Sequence, residues 1–310
     1  MRIVAGSSSP ILAKKVCEAL KDSPEPIKLN KFSDSEMMPE FERSIREKEI
    51  FIVQSTSAPV NDAIMEMILM IDAAKRSSAR KITAVIPYYG YARQDRTTGR
   101  TPISAKVIAD MLTAVGANRV VTMDLHSKQI EGFFNIPIDN LRATKLFAND
   151  IKEKFSGKND RPLIIAPDAG GVQRAQAIAK RLGLDLAVID KRRQKANVIE
   201  KVNILGNVEG EDCILIDDIG DTLGTLCKAA EELMKKKAKS VTAYVTHPVF
   251  SGNAIKNVKS SPLKEIVITD TIDGREKIAP KVRSISVAPL IAHALQSIHK
   301  GLPLSDLYND

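Results

Sequence analysis

The chain has 310 residues, 44% hydrophobic and 27% charged, with a formal net charge of +8 at pH 7, which excludes a disordered chain and allows a core large enough for two domains. No apolar stretch nears the ~20 residues needed to span a bilayer, and "MRIVAGSSSPILAKK" has no long apolar core behind its basic start, so neither a membrane anchor nor a secretory leader is expected. The positive charge favours an anionic partner, but aromatics are 4% with no tryptophan and the basic residues are scattered, which points to a phosphorylated small molecule rather than to nucleic acid or a membrane surface.

In chain order, "IVAGSSSPILAKKVCEAL" reads as a strand, a polar turn and a helix, followed by "PIKLNKFSD". From Glu49, "EIFIVQSTSAPVNDAIMEMILMIDAAKRSSARKITAVIPYYG" reads as strand, polar turn, helix and strand. Ile64, Met67, Ile68 and Ile71 fall on one face of that helix. "VVTMDLHS" is a further strand ending in an aspartate. The same order then returns. "LIIAPDAGGVQRAQAIAKRLG" with "LAVIDKRR" repeats the opening, "CILIDDIGDTLGTLCKAAEELMKKKAKSVTAYVTHP" repeats the second block, and "IVITDTID" repeats the third.

A duplicated α/β domain explains this repetition, each copy a mainly parallel sheet flanked by helices. The boundary is placed at Ala143, giving domains 1–143 and 144–310, with the last helix able to pack back on the first. In such sheets ligands gather at the carboxyl ends of strands, where every polar motif above falls. Cys17, Cys213 and Cys227 are widely spaced and lack any CxxC pairing, so core thiols in a reducing, cytoplasmic setting are expected rather than disulfides or zinc.

In "DDIGDTLGT" the strand is expected to stop near Asp217 and the helix to start near Thr225. Asp221 to Thr225 then form a turn whose backbone N–H groups suit a phosphate monoester, with Thr222 and Thr225 adding hydroxyl donors. Asp217 and Asp218 are acceptors, suited to sugar hydroxyls or a metal. A sugar phosphate fits both halves; an Asp-capped helix start is the plainer alternative.

Together with "FSDSE", "QSTSAPVND", "PYYGYARQDR", "PISAK", "TMDLHSKQIEGFF", "PDAGG" and "DKRR", this stretch resembles the ribose-phosphate diphosphokinase family, built on the type I phosphoribosyltransferase fold. The resemblance covers nearly the whole chain. It implies transfer of the diphosphate of magnesium ATP to the 1-hydroxyl of ribose 5-phosphate, releasing AMP. It also implies residue roles: Asp217, Asp218, Asp221, Thr222, Leu223, Gly224 and Thr225 on ribose 5-phosphate; Phe32, Asp34, Glu36, Arg93, Gln94 and His126 on ATP; Lys191 and Arg193 on the transferring group. Two magnesium ions are implied, one on His126 and one on Asp168.

Each of these residues has an ordinary reading as well. Asp168 could be only a helix cap, "DKRRQKAN" only an exposed basic loop, "YARQDR" a solvated basic loop, and "FSDSE" a surface turn in which Phe32 would otherwise stack on a purine. His293 and His299, in the last helix, are read as ordinary residues. In the family the "FSDSE" segment reaches a neighbouring subunit's site, so a homo-oligomer, a hexamer, is expected. Three positions depart from the family pattern: Ser35 replaces a common glycine, Gly220 a usual apolar residue, and Leu223 an expected alanine or glycine. "RTTGRTP" is shorter than its family counterpart, and Arg46 lies where an Arg-Gly step is usual, so phosphate and ADP regulation does not follow. The rival readings are a phosphoribosyltransferase and a catalytically weak regulatory homologue.

Overall fold

The computed structural model describes residues 1–157, 161–192, 201–275 and 278–308. The chain forms two compact units, one of Met1–Arg142, Thr271–Asp273 and Ser286–Asn309, the other of Ala143–Asp270 and Gly274–Ile285.

The first unit holds a five-stranded sheet of β1 (Arg2–Ala5), β4 (Glu49–Val53), β5 (Lys81–Ile86), β6 (Arg119–Met123) and β7 (Ile138–Leu141), paired in that order. Every pairing is parallel. A separate antiparallel hairpin joins β2 (Ile27–Lys31) to β3 (Met37–Phe41). All five residues of β4 are buried, as expected of a strand covered on both faces. The helices are α1 (Pro10–Ala19), α2 (Val60–Arg76), α3 (Ser104–Val115) and, from the chain's end, α8 (Ala288–Lys300) and α9 (Ser305–Tyr308). On α2 the expected apolar face is seen: Ile64, Met67 and Ile71 are buried and Ile68 packs at the edge of the core. α8 packs on α1; its start carries a proline and its end a left-handed Gly301, the usual asymmetry of helix punctuation.

The second unit repeats the plan. Its sheet runs β10 (Lys201–Leu205), β9 (Leu186–Arg192), β8 (Leu163–Ala166), β11 (Asp212–Ile219), β12 (Ser240–His247), β13 (Glu265–Thr269), β14 (Val282–Ile285). Only the β9–β10 pair is antiparallel. Helices α4 (Thr144–Lys154), α5 (Val172–Leu182), α6 (Gly224–Lys235) and α7 (Ala254–Ser260) complete it. A half-buried network fastens α4 to this sheet: Arg283 donates to both oxygens of Asp150 at 2.8 and 2.7 Å, and the Tyr244 hydroxyl donates to Asp150 Oδ2. Despite its burial, Asp150 is held below the usual carboxylate range by these donors.

One boundary differs from expectation. β11 runs to Ile219 rather than stopping near Asp217, because its register with β12 continues through Asp217↔Val245 and Ile219↔His247. Asp217 and Asp218 are therefore strand residues, more rigidly held than a loop would hold them. The three cysteines are free and buried. No helix among the described residues is long and apolar enough to cross a membrane.

Candidate active site

In the second unit, β11 delivers Asp217 and Asp218, and the chain turns through 220–223 into α6. Consecutive strand residues point to opposite faces, yet the Arg174 guanidinium of α5 lies 3.4 Å from Asp218 Oδ1 and 4.0 Å from Asp217 Oδ1. Burial, and then the charge of Asp218, push the Asp217 carboxyl well above the usual carboxylate range, against the pull of Arg174. No motif in the sequence singles out Arg174. Its one signal is a cation in the first turn of a helix, where the dipole disfavours positive charge unless a carboxylate answers it.

The turn ahead of α6 is fastened from behind. The Gly220 carbonyl accepts from Phe250 N–H at 2.9 Å, the Asp221 carbonyl from Ser251 N–H at 3.1 Å, and the Thr222 carbonyl from the Asn257 side-chain amide at 2.8 Å. The Ser251 hydroxyl donates to Asp221 Oδ1, and the Leu223 carbonyl accepts from Cys227 N–H. With the carbonyls engaged and Gly224 N–H directed to Thr222 Oγ1 at 3.5 Å, the loop's other donors are the following N–H groups of the first turn of α6 and the exposed Thr222 and Thr225 hydroxyls, a set that suits an anion. Leu223 is buried and left-handed, with φ 60° and ψ 5°.

Asp168 follows β8, and its Oδ1 accepts from Gly171 N–H at 3.0 Å. Gly171 is itself the N-cap of α5, which carries no side-chain cap, so Asp168 braces the turn ahead of the helix and is not the cap of its plainer reading. Lys191 lies in β9, opposite Val202 of β10. Arg193 lies outside the described residues.

In the first unit, "QSTSAPVND" and "PYYGYARQDR" interlock. Thr56 N–H donates to the Tyr88 carbonyl at 2.9 Å, and Gly90 N–H to Thr56 Oγ1 at 2.6 Å. A Cβ on Gly90 would come within 2.4 Å of the Thr56 carbonyl oxygen, so only glycine allows this approach. The compact loop leaves Arg93 and Gln94 exposed. Gln94 Oε1 accepts from Ser104 Oγ at 2.6 Å, which leaves its amide N–H groups as the outward donors. Asp95 accepts from Gln129 at 2.8 Å. His126 is exposed just past β6. Phe32, Asp34 and Glu36 form the β2–β3 turn, where Phe32 is 54% exposed and Asp34 Oδ1 accepts from Glu36 N–H at 3.1 Å. Among the described residues no group of three or more His, Cys, Asp or Glu gathers as a metal cage.

Residues 1–116 match the N-terminal domain of ribose phosphate pyrophosphokinase, and residues 193–309 the phosphoribosyl synthetase-associated domain. The chain is 50% identical to the ribose-phosphate pyrophosphokinase of Granulibacter bethesdensis over 312 residues, covering 100% of both chains. It is 49% identical to that of Rhizobium meliloti over the same span, again with 100% of both covered. A solved phosphoribosylpyrophosphate synthetase from Mycobacterium smegmatis is 37% identical, with a TM-score of 0.91 over 97% of this chain and 99% of that one. The two units are accordingly phosphoribosyltransferase-like α/β domains, and the protein is a transferase. The chain belongs to the ribose-phosphate pyrophosphokinase family and is an enzyme of that kind.

Proposed function

We propose that the enzyme transfers the diphosphate group of magnesium ATP to the 1-hydroxyl of ribose 5-phosphate, yielding 5-phosphoribosyl 1-diphosphate and AMP for nucleotide biosynthesis in the cytoplasm. The observation that carries this reading is the pair Asp217 and Asp218 on a rigid strand next to a loop whose carbonyls are pinned away, in a chain alike to named pyrophosphokinases over its full length. The loop Asp221–Thr225 holds the 5-phosphate through N–H and hydroxyl donors, and Asp217 and Asp218 accept from the ribose hydroxyls. Arg174 holds the two carboxylates in place.

On the nucleotide side, Arg93 and Gln94 offer donors to the polyphosphate. Phe32 offers a face to the purine, and Asp34 and Glu36 accept from its amino group. The family resemblance makes this turn serve a neighbouring copy, and the exposure of Phe32 supports a homo-oligomer, a hexamer. In the transfer, a bond forms between the sugar O1 and the β-phosphorus as the O1–H bond breaks and its proton passes to solvent, and the bond from that phosphorus to the α,β-bridging oxygen breaks, so AMP departs with that oxygen. Lys191 and Arg193 offset the charge that redistributes over the transferring group.

Magnesium fits the residues present. Asp168 commits one oxygen to Gly171, and a single carboxylate beside substrate phosphates and water is normal for magnesium; the imidazole of exposed His126 is an unusual ligand for this oxygen-seeking ion, and its role follows from the family resemblance alone. When bound, the two ions would neutralise phosphate charge, one at His126 and one at Asp168.

A coupled assay for AMP with magnesium, ATP and ribose 5-phosphate, and no nucleobase, tests the reading. Wild-type enzyme releases AMP; Lys191→Ala slows release about 10³-fold, the scale of a lost charge-stabilising donor. A silent wild type sinks the proposal, and a base requirement favours a phosphoribosyltransferase.

A further inference from the structure

Leu223 occupies a backbone position that would suit glycine, and Gly220 a position crowded enough to need one. Leu223 is in the left-handed region at φ 60°, where a bulky side chain is strained and glycine is at ease. Gly220 is not in that region; what it supplies is room. A Cβ on Gly220 would come within 2.9 Å of Leu223 Cδ2, 3.1 Å of Val245 Cγ1 and 3.2 Å of Phe250 Cε1, and the first of these is closer than real Cβ contacts run. The Leu223 side chain fills that slot and is only 3% exposed.

We propose that Gly220 and Leu223 form one packed pair that sets the shape of the phosphate loop, making Leu223 a positioning residue for the sugar 5-phosphate. This rests on the reading of Asp221–Thr225 as the 5-phosphate cradle. Burying an isobutyl group in the Gly220 slot outweighs the strain of the left-handed backbone. That backbone in turn fixes the direction in which the chain enters α6, and with it the aim of the first N–H groups. Phe250 serves twice: its ring walls the slot, and its N–H holds the Gly220 carbonyl at 2.9 Å. The leucine side chain contributes no group to the ligand. It acts through the peptide planes on either side of it.

Calorimetric binding of ribose 5-phosphate and, separately, of ATP decides the matter, measured on the full chain with Gly220→Ala, Leu223→Ala, Leu223→Gly and the double variant Gly220→Ala/Leu223→Ala. Gly220→Ala and Leu223→Ala each weaken ribose 5-phosphate about tenfold and leave ATP affinity unchanged. In the Leu223→Ala background the added methyl at position 220 meets no leucine, so the double variant is no weaker than Leu223→Ala alone. Leu223→Gly relieves the φ strain but empties the slot, and it stays weak. Additive losses, equal losses for ATP, or full affinity in Leu223→Gly would overturn the pairing. A wild type that binds ribose 5-phosphate yet releases no AMP removes the proposed reaction and leaves this inference standing. A wild type that does not bind ribose 5-phosphate removes both.

Discussion

In the first unit the turn after β4 is closed by its own surroundings, whereas in the second the corresponding turn after β11 is held from behind and left open. Gln54, Ser55, Thr56 and Ser57 are all buried. Gln54 accepts from Ser8 N–H and donates to Glu66; Ser55 N–H donates to Ser9 Oγ, and the Ser55 hydroxyl to the Thr271 carbonyl. At the corresponding step of the repeat, the second unit presents Thr222 and Thr225 to solvent. The hairpins differ as well: β2–β3 forms a sheet of its own, while β9–β10 extends the main sheet. The difference teaches that strand, turn and helix do not by themselves make an anion cradle. What decides is whether neighbouring groups bind the loop's carbonyls and stay out of its mouth, as Phe250, Ser251 and Asn257 do, or fill it.

If the first turn is purely architectural, damage there costs stability. Glu66 is 3% exposed and accepts from Ser7 N–H, Ser7 Oγ and Gln54 Nε2 at 2.7, 2.7 and 2.8 Å. Glu66→Ala removes the acceptor of three hydrogen bonds, leaving the buried Gln54 amide short of a partner while exposed Ser7 can turn to water, and is expected to cost about 2 kcal/mol in urea unfolding, with ribose 5-phosphate affinity per folded molecule unchanged. A large loss of that affinity without a stability loss would erase the contrast between the two turns.

The second turn should behave in the opposite way. Burial and the Asp218 charge raise the Asp217 carboxyl well above its ordinary value. A carboxyl whose folded pKa exceeds its unfolded one favours the fold below the unfolded value, and that contribution is lost as pH rises through the folded value. Asp217→Asn cannot ionise, so it is expected to gain about 2–4 °C in melting temperature above that window and to match wild type at the acid end. The same variant loses about tenfold in ribose 5-phosphate affinity, the scale of one charge-assisted hydrogen bond. Melting curves over a pH series and calorimetry check the two halves; a variant less stable at every pH would show that Asp217 is a structural partner of Arg174 and nothing more.

Period and turn chemistry make the frame of this protein legible in its residues alone. Ile64, Met67 and Ile71 announce the buried face of α2, and "DDIGDTLGT" announces a strand end, an acidic pair and a helix start. The remainder depends on contacts between distant parts of the chain. Arg174 reaches carboxylates more than forty positions away, and Asn257 holds a carbonyl from a helix later in the chain. Nor can pattern reveal complementary volume: Gly220 and Leu223 are two separate irregularities in the sequence, and only the folded loop shows that a Cβ on one would meet the other. The membership of Thr271–Asp273 in the first unit is equally out of reach, since no repeat or periodicity sets those three residues apart from their neighbours.

The smallest expected effect concerns the hairpin that the first unit keeps apart from its main sheet. Ser35 sits in the β2–β3 turn at φ 77°, and the turn is closed by Ser35 N–H to the Phe32 carbonyl at 2.9 Å and Phe32 N–H to the Glu36 carbonyl at 2.8 Å. Neither bond uses the serine side chain. Ser35→Gly removes the left-handed strain but also loosens the unfolded chain, and these terms oppose each other. A net gain of about 0.5 kcal/mol is expected, read as a slight rise in the urea midpoint, with the Michaelis constant for ATP unchanged because Phe32, Asp34 and Glu36 keep their places. A loss of stability, or a shift in ATP affinity, would mean that the Ser35 hydroxyl has a partner in the active enzyme, and that this turn, like the 220–223 turn, is shaped by contacts outside its own sequence.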